Sequence, residues 1–364
     1  MTPRPSTSPD KNACFPPLLD RALVLTGPTA SGKTALAVRV AQAMQDLPVN
    51  PVLANGETPP QIEIISLDSI AVYRRMNIGT AKPSAEEQQS VAHHLIDVVE
   101  PDQETSVAEY LATAHELVDQ IHARGNRPMF VGGTPMYLKG ILRGFDPGPP
   151  ADEAFRAAVM EDVQRHGAAA LHQRLEQVDP LSASRIQSHD VRRMIRALEF
   201  ARQTGTPISH RQQQFDVERR PDEGLAFVLQ TPRHVLHRRI ASRVEEMFAS
   251  GLVDEIRALV ADYPALSRTA GTAVGYREVL QSDEFRQWLA EPQTKPDWSA
   301  VAEQVLFHTR RLARRQETWF RSMGELRGIA THCEDEENRR PSETLVQEMV
   351  GAIKSHSVWT HTAR

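Results

Sequence analysis

The stretch LTGPTASGKT, residues 25–34, constrains this chain more than any other. Gly27, Gly32, Lys33 and Thr34 satisfy the pattern G-x-x-x-x-G-K-[ST]. The apolar run ALVLTG (22–27) precedes the pattern and TALAVRVAQAM (34–44), with helical spacing, follows it. A strand, a glycine-bearing turn and a helix in that order turn backbone amides toward a phosphate, and the helix N-terminus adds positive dipole. Gly27, Thr29, Ala30, Ser31, Gly32, Lys33 and Thr34 are therefore the expected phosphate-binding residues, with the amides of 29–34 as donors. Lys33 supplies a charge, and the Thr34 hydroxyl is a candidate ligand for Mg2+.

The remaining pattern predicts an α/β fold, a P-loop NTPase-like doubly wound parallel sheet with an inserted small helical domain. IEIISLD (62–68) and PMFVGGT (128–134) read as further buried strands, and GLAFVLQT (224–231) as a fourth. Asp68 and Thr134 then sit on the same rim as the 27–34 loop, where such sheets bind ligands. Between the first helix and second strand, QDLPVNPVLANGETPPQ (45–61) carries four prolines and reads as a surface insertion. From Pro147 to about Gln214 the pattern is purely helical, followed by helices at 233–249, 252–260 and 301–321. The expected organisation is a disordered tail over 1–20, a core from 21–146 and 215–330, a helical domain over 147–214, and a C-terminal helix or tail over 331–364.

Charge narrows the function. A net charge of −5 argues against a general nucleic-acid binder, yet the distribution is uneven. Arg185, Arg192, Arg193, Arg196, Arg202 and Arg211 face only Asp190 and Glu199 in one stretch, and Arg310, Arg311, Arg314, Arg315 and Arg321 face only Glu303 and Glu317 in another. Each basic stretch reads either as a solvated helix face or as an RNA contact. Two cysteines, Cys14 and Cys333, make neither a disulfide framework nor a metal cluster, so a reducing, cytoplasmic setting is expected. Neither a secretion signal nor a membrane-spanning run is read in the chain. His93 and His94 lack a third ligand at metal spacing, and Cys333 beside His332 lacks a second pair.

The predicted rim points to group transfer. Motor-type P-loop hydrolases hold Mg2+ with an acid at the end of an apolar strand, but PMFVGGT ends in glycines and threonine. The acid lies instead at the end of IEIISLD. Asp68 there can ligate magnesium, accept a proton from an incoming nucleophile, or simply cap the segment that follows.

In order, GPTASGKT, SLDSIAVYRRMNIGTAKP, HHLIDVVEP, VGGTPMYLKGIL, RRMIRALE, AVGYRE and TRRLARRQETWFR span residues 22–321 and together resemble the tRNA dimethylallyltransferase family, also called tRNA isopentenyltransferases. The resemblance implies that the loop holds the diphosphate of dimethylallyl diphosphate, that Mg2+ assists, and that the N6 amine of the adenosine beside the anticodon attacks the prenyl carbon. It implies catalytic roles for Asp68 as base, Thr134 and Lys33, and a diphosphate contact for Arg243. It further implies tRNA contacts by Asp68, Ser69, Ile70 and Ala71, by Thr134 and Arg156, by Arg192, Arg193, Met194, Ile195 and Arg196, and by Gly275, Tyr276 and Arg277. Thr134 is read as bonding the nucleotide or the diphosphate, or as a small turn residue. Tyr276 and Arg277 are read as able to stack or to meet phosphate. Phe307, Trp319 and Phe320 have helical spacing and read as core.

The expected partners are the tRNA anticodon stem-loop and dimethylallyl diphosphate, with no membrane and a monomeric chain. The alternatives are an adenylate prenyltransferase acting on free nucleotide and an ATP-dependent kinase of a small metabolite.

Overall fold

Between Ala22 and Arg143, β-strands form where apolar runs of four to six residues occur, at 23–26, 62–67 and 127–132, and longer segments of helical period lie between them. In this computed structural model, residues 14–45, 60–211, 220–333 and 338–356 are described. The elements are β1 (Leu23–Thr26), α1 (Lys33–Gln45), β2 (Ile62–Leu67), α2 (Ala85–Ser90), β3 (His93–His94), α3 (Val107–Ala123), β4 (Arg127–Gly132) and α4 (Pro135–Arg143). Then follow α5 (Glu153–Val178), α6 (Pro180–Arg185), α7 (Val191–Thr204), α8 (Ile208–Arg211), β5 (Ala226–Gln230), α9 (Arg233–Ala249) and α10 (Leu252–Asp262). The chain ends with α11 (Arg268–Gly271), α12 (Tyr276–Gln281), α13 (Asp283–Ala290), α14 (Ser299–Arg321), β6 (Arg327–Ala330) and α15 (Ser342–Ser355).

Among the described residues one parallel sheet forms, in the order β3-β2-β4-β1-β5-β6. The fold class is thus the α/β class expected. Thr26 and Leu67 both pair with Gly132, so β1, β2 and β4 end level with one another. Whatever follows these three strands emerges side by side on one rim. On one face, Leu23, Leu25, Ile62, Ile64, Met129, Val131, Phe227 and Leu229 pack in a single cluster with Leu36, Val40 and Met44 of α1 and Leu345, Met349 and Ile353 of α15. A capping box of Ser106 and Glu109 starts α3.

The chain divides into two compact units: the described parts of 18–138 and 219–364, which contain the sheet, and the described parts of 1–17 and 139–218. In the second unit, α5, α6 and α7 bury Phe155, Val159, Leu171, Leu175, Met194, Ile195 and Leu198. Asp152 caps α5 through Phe155 N–H, Asp190 caps α7 through Arg193 N–H, and α5 breaks at Gly167, where φ is +82°.

Two expectations need correction. Residues 14–20 are expected in a disordered tail, but Phe15 bridges to Phe145, and Leu18 and Leu19 have no exposed area. The apolar side chains of FPPLL find partners that a tail would leave in water. The sequence pattern predicts four strands, and the sheet has six among the described residues. The pair β3 and the four residues of β6 are too short to show a period. Of the C-terminal helix or tail expected over 331–364, the helix is α15, which covers part of one sheet face. Residues 1–13 and most of the proline-rich stretch, 46–59, lie outside the described residues.

Candidate active site

The turn after β1 is built to leave donors unspent. Gly32 has φ +93°, a conformation that side-chain-bearing residues rarely adopt, and Ala30 also takes positive φ, at +63°. The first α1 bond from this turn runs from Leu36 N–H to the Gly32 carbonyl at 3.2 Å. The amides of Gly32, Lys33 and Thr34 thus precede the helix's own acceptors. The Ser31 hydroxyl is buried and meets no acceptor, and Arg243 Nε is buried in the same condition. Two buried donors without acceptors, beside free helix-start amides, describe an anion site.

Not every amide of the loop is available. Thr29 N–H donates to Gln316 Oε1 at 2.9 Å, and Ser31 N–H to the Pro28 carbonyl at 3.3 Å. The expected cradle of 29–34 amides is corrected accordingly, since the turn needs two of them to hold its own shape. Lys33 Nζ rests on the Pro28 carbonyl at 3.0 Å. Arg243, on α9, donates to Thr29 Oγ1 at 3.1 Å and to the Thr80 carbonyl at 3.3 Å. Arg239, one turn earlier, reaches the carbonyls of Ala30 and Ser31 at 3.4 and 3.3 Å.

Part of the Lys33 residue is accessible, but its ammonium is enclosed. Burial lowers its pKa to about 8, against the opposing pull of Asp68 and with a further lowering from Arg243. Arg243 is held below the ordinary guanidinium value, first by burial, with Asp68 again opposing. The Asp68 carboxylate is therefore felt both by Lys33 of the loop and by Arg243 of α9. Asp68 and the anion site share one electrostatic neighbourhood.

Asp68 Oδ1 accepts Ile70 N–H at 2.8 Å and Ala71 N–H at 3.3 Å, so the capping role is real. Among the described residues its Oδ2 accepts nothing, so the cap leaves one oxygen for chemistry. Thr134 N–H donates to the Leu67 carbonyl at 3.2 Å, and Thr134 Oγ1 accepts Ser69 N–H at 3.0 Å. Thr134 therefore ties the end of β4 to the end of β2, next to Asp68. Asp68, Ser69, Ile70 and Thr134 are all partly exposed on this rim, while Ala71 is buried.

Gln316 of α14 was not anticipated in this site. It is 7% exposed and joins the loop to the rim, and a Gln in an arginine-rich helix carries no signal that would mark it. Arg239 was likewise missed, because nothing in RHVLHRRIASR separates it from its basic neighbours. Thr80 was missed because its carbonyl, which any residue could supply, makes the contact.

The expected tRNA residues divide sharply. Arg192 and Arg193 are exposed on α7, and Arg193 pairs with Asp190 at 3.2 Å. Arg156 and Arg196 are instead committed to Glu199, which has no exposed area, at 2.8 and 2.7 Å. Arg196 also donates to the Pro147 and Pro149 carbonyls. Met194 and Ile195 lie in the core of the helical unit and present no side chain to RNA.

Gly275 N–H and the Arg277 guanidinium both bind Glu278, and Gly275 holds φ at +97°. Tyr276 is fully buried, with its hydroxyl on Glu255 at 2.6 Å. The stacking role expected of Tyr276 is thus excluded in this conformation. Phe307, expected in the core, is 62% exposed, while Phe320 is buried and Trp319 half-buried. His94 pairs with Glu63 at 2.6 Å and His93 with the Val91 carbonyl at 2.8 Å. Among the described residues there is no group of three His, Cys, Asp or Glu able to hold a metal by itself, and no helix long and apolar enough to cross a membrane.

The IPP transferase family model matches residues 71–323. The tRNA dimethylallyltransferase of Rhodopirellula baltica is 56% identical over 343 residues, covering 94% of this chain and 97% of that protein. The tRNA dimethylallyltransferase of Geobacter sulfurreducens is 41% identical over 302 residues, covering 83% and 89%. Among solved structures, the tRNA isopentenylpyrophosphate transferase of Bacillus halodurans is 32% identical with a TM-score of 0.57, over 92% of this chain and 97% of that one. A eukaryotic dimethylallyltransferase acting on tRNA has a TM-score of 0.64 at 22% identity, covering 85% of this chain and 73% of that one, which speaks for the fold. The adenylate-prenyltransferase and kinase alternatives draw no support from these relatives. Matched by the family model over residues 71–323 and by relatives across most of its length, the chain belongs to the IPP transferase family of tRNA dimethylallyltransferases.

Proposed function

We propose that the chain transfers the dimethylallyl group of dimethylallyl diphosphate to the N6 amine of adenosine 37, immediately 3′ of the anticodon in tRNA, releasing pyrophosphate. The observation that carries this reading is the shared neighbourhood of Asp68, Lys33 and Arg243 at the level ends of β1, β2 and β4. A diphosphate fits the unspent donors of Ser31, Arg243 and the α1 start. Asp68 Oδ2 is left for the incoming amine.

In the reaction, the N6 lone pair forms a bond to the first prenyl carbon as the bond from that carbon to the diphosphate oxygen breaks. The N6 proton passes to Asp68 and the electron pair leaves with pyrophosphate. Lys33, Arg243 and the helix-start amides stabilise the charge that grows on the leaving group. An aryl amine is a weak nucleophile, so holding it in line with the carbon contributes more than basicity does. The donor set fits a small hard cation, since the Thr34 hydroxyl is an oxygen without a protein partner among the described residues, and Mg2+ is held by one or two such oxygens together with phosphate and water. When bound, Mg2+ supplies further neutralisation of the diphosphate.

An adenine stacked in an anticodon loop reaches such a rim only after it is turned out of the stack, at a cost of a few kcal/mol that a loop reduces. Arg192 and Arg193 of the first basic stretch and Arg311, Arg314 and Arg315 of the second are exposed, and they meet the phosphates of the anticodon stem-loop. The chain works as a monomer in the cytoplasm. Purified protein with Mg2+ and labelled dimethylallyl diphosphate is offered unmodified tRNA, AMP, or tRNA with ATP withheld. Label entering tRNA without ATP supports the reading, while label entering only AMP, or a requirement for ATP, overturns it.

A further inference from the structure

The β-ladder that aligns the rim stops at the strand ends. Thr26 is paired with Gly132, and its hydroxyl donates to the Gly132 carbonyl at 2.8 Å. Past this point the phosphate loop and the β4 turn are separate pieces of backbone. The side chain that carries the alignment onward is Gln316. Its Oε1 accepts Thr29 N–H at 2.9 Å and its Nε2 donates to the Gly133 carbonyl at 2.8 Å. Only one orientation of the carboxamide satisfies both partners, because one is a donor and the other an acceptor. Room for it is made by the absence of a side chain at Gly133, where a Cβ would lie 2.6 Å from Gln316 Nε2.

Each end of this link leads to a reacting partner. Thr29 holds Arg243 through its hydroxyl. Gly133 is followed by Thr134, which holds Ser69 beside Asp68. We propose that Gln316 is a positioning residue that fixes the separation between the diphosphate loop and the carboxylate that receives the amine. The inference rests on the transferase reading above and adds to it the part that sets in-line geometry. Misplacement of reacting atoms by about 1 Å costs about a hundredfold in rate, so the two bonds that tie the phosphate loop to the β4 turn matter more to turnover than to ligand affinity.

Two variants test this. Gln316→Met keeps length and apolar volume and loses both bonds. Gln316→Glu keeps the acceptor for Thr29, loses the donor to Gly133, and regains it only when its carboxyl is protonated. The full-length protein is examined by hydrogen exchange of peptides covering 25–34 and 131–136, by kcat per folded molecule, and by the Kd of a non-reactive dimethylallyl diphosphate analogue. For Gln316→Met, exchange in both peptides rises, kcat falls about 10- to 100-fold and the analogue Kd stays within about threefold. For Gln316→Glu, kcat relative to wild type rises several-fold as pH falls from about 8 to 6, a change that mere space-filling would not produce.

Unchanged exchange with kcat within about twofold of wild type overturns the proposal, as does a loss confined to Kd or a flat relative pH profile. If Gln316→Met does not fold, Gln316→Glu alone decides through its pH profile. Should wild-type protein bind the analogue but leave tRNA unlabelled, the transferase reading fails separately, and the exchange data still decide whether Gln316 braces the loop.

Discussion

Lys33 gives the sharpest quantitative prediction, which concerns donor affinity as a function of pH. In the ligand-free site burial brings its pKa to about 8, within reach of ordinary buffers. A bound diphosphate restores the charge by placing negative oxygens against the ammonium, so binding requires the protonated form. With a pKa of about 8, the protonated fraction falls from about three quarters at pH 7.5 to about 3% at pH 9.5, and Kd rises about 25-fold, which is close to 2 kcal/mol. A lysine at 10.5 would change Kd by only about a tenth over the same interval. The terminal phosphate of the analogue is already ionised across this range, its second pKa being about 6.

Calorimetric titration of the non-reactive donor analogue from pH 7.5 to 9.5, in two buffers of different ionisation enthalpy, reads both Kd and proton uptake. Uptake of up to one proton per site above pH 8 is expected. A Kd that is flat to pH 9.5 without proton uptake refutes the enclosure of the Lys33 ammonium. The same shift acts on the free protein with the opposite emphasis. Folded Lys33 holds its proton less tightly than the unfolded chain, so this residue's contribution to stability rises as pH climbs from about 8 to 10.5.

Asp68→Asn keeps the Oδ1 acceptor for Ile70 and Ala71 and so keeps the fold, but single-turnover transfer should slow by about 10²–10⁴ with tRNA affinity unchanged, and full activity would remove the base assignment. Replacing Arg192 and Arg193 together by Ala should weaken tRNA binding and reduce the slope of log K against log salt by about 2, read by filter binding at several salt concentrations; an unchanged slope would take α7 out of the interface. Tyr276→Phe should cost about 1 kcal/mol of stability through the lost bond to Glu255 and leave tRNA affinity as it is, whereas weakened tRNA binding without destabilisation would restore a contact role to Tyr276. Glu199→Gln should lower the melting temperature of the helical unit, since Arg156 and Arg196 both lose the buried carboxylate they share; no change would mean that the pairs contribute nothing.

The rim was legible in the sequence because its chemistry is local. A glycine-rich turn between an apolar run and an amphipathic segment leaves few conformations, and Asp68 and Thr134 fall at strand ends that any parallel sheet must place together. Gln316 was not legible because its two partners are backbone groups 287 and 183 residues away, which no side-chain pattern records. The arginines misled for a related reason. Arg156 and Arg196 look like the exposed Arg192 and Arg193 in sequence, but Glu199 sits one helical turn from Arg196 and captures both. A buried acid that turns a basic stretch inward can be found only in three dimensions. Tyr276 and Met194 fall inside for the ordinary reason that their helices need an apolar face. Phe307 failed in the other direction, since helical spacing assigns it to a face but does not say which face is covered.

The most direct measurement is a crystal structure of the protein with the non-reactive dimethylallyl diphosphate analogue and an unmodified anticodon stem-loop. The diphosphate should lie on Lys33, Arg243 and the Gly32–Thr34 amides, with the turned-out adenine placing N6 in hydrogen-bond reach of Asp68 Oδ2 and in line with the first prenyl carbon. An adenine bound elsewhere, or a diphosphate away from the 27–34 turn, would contradict the proposed site.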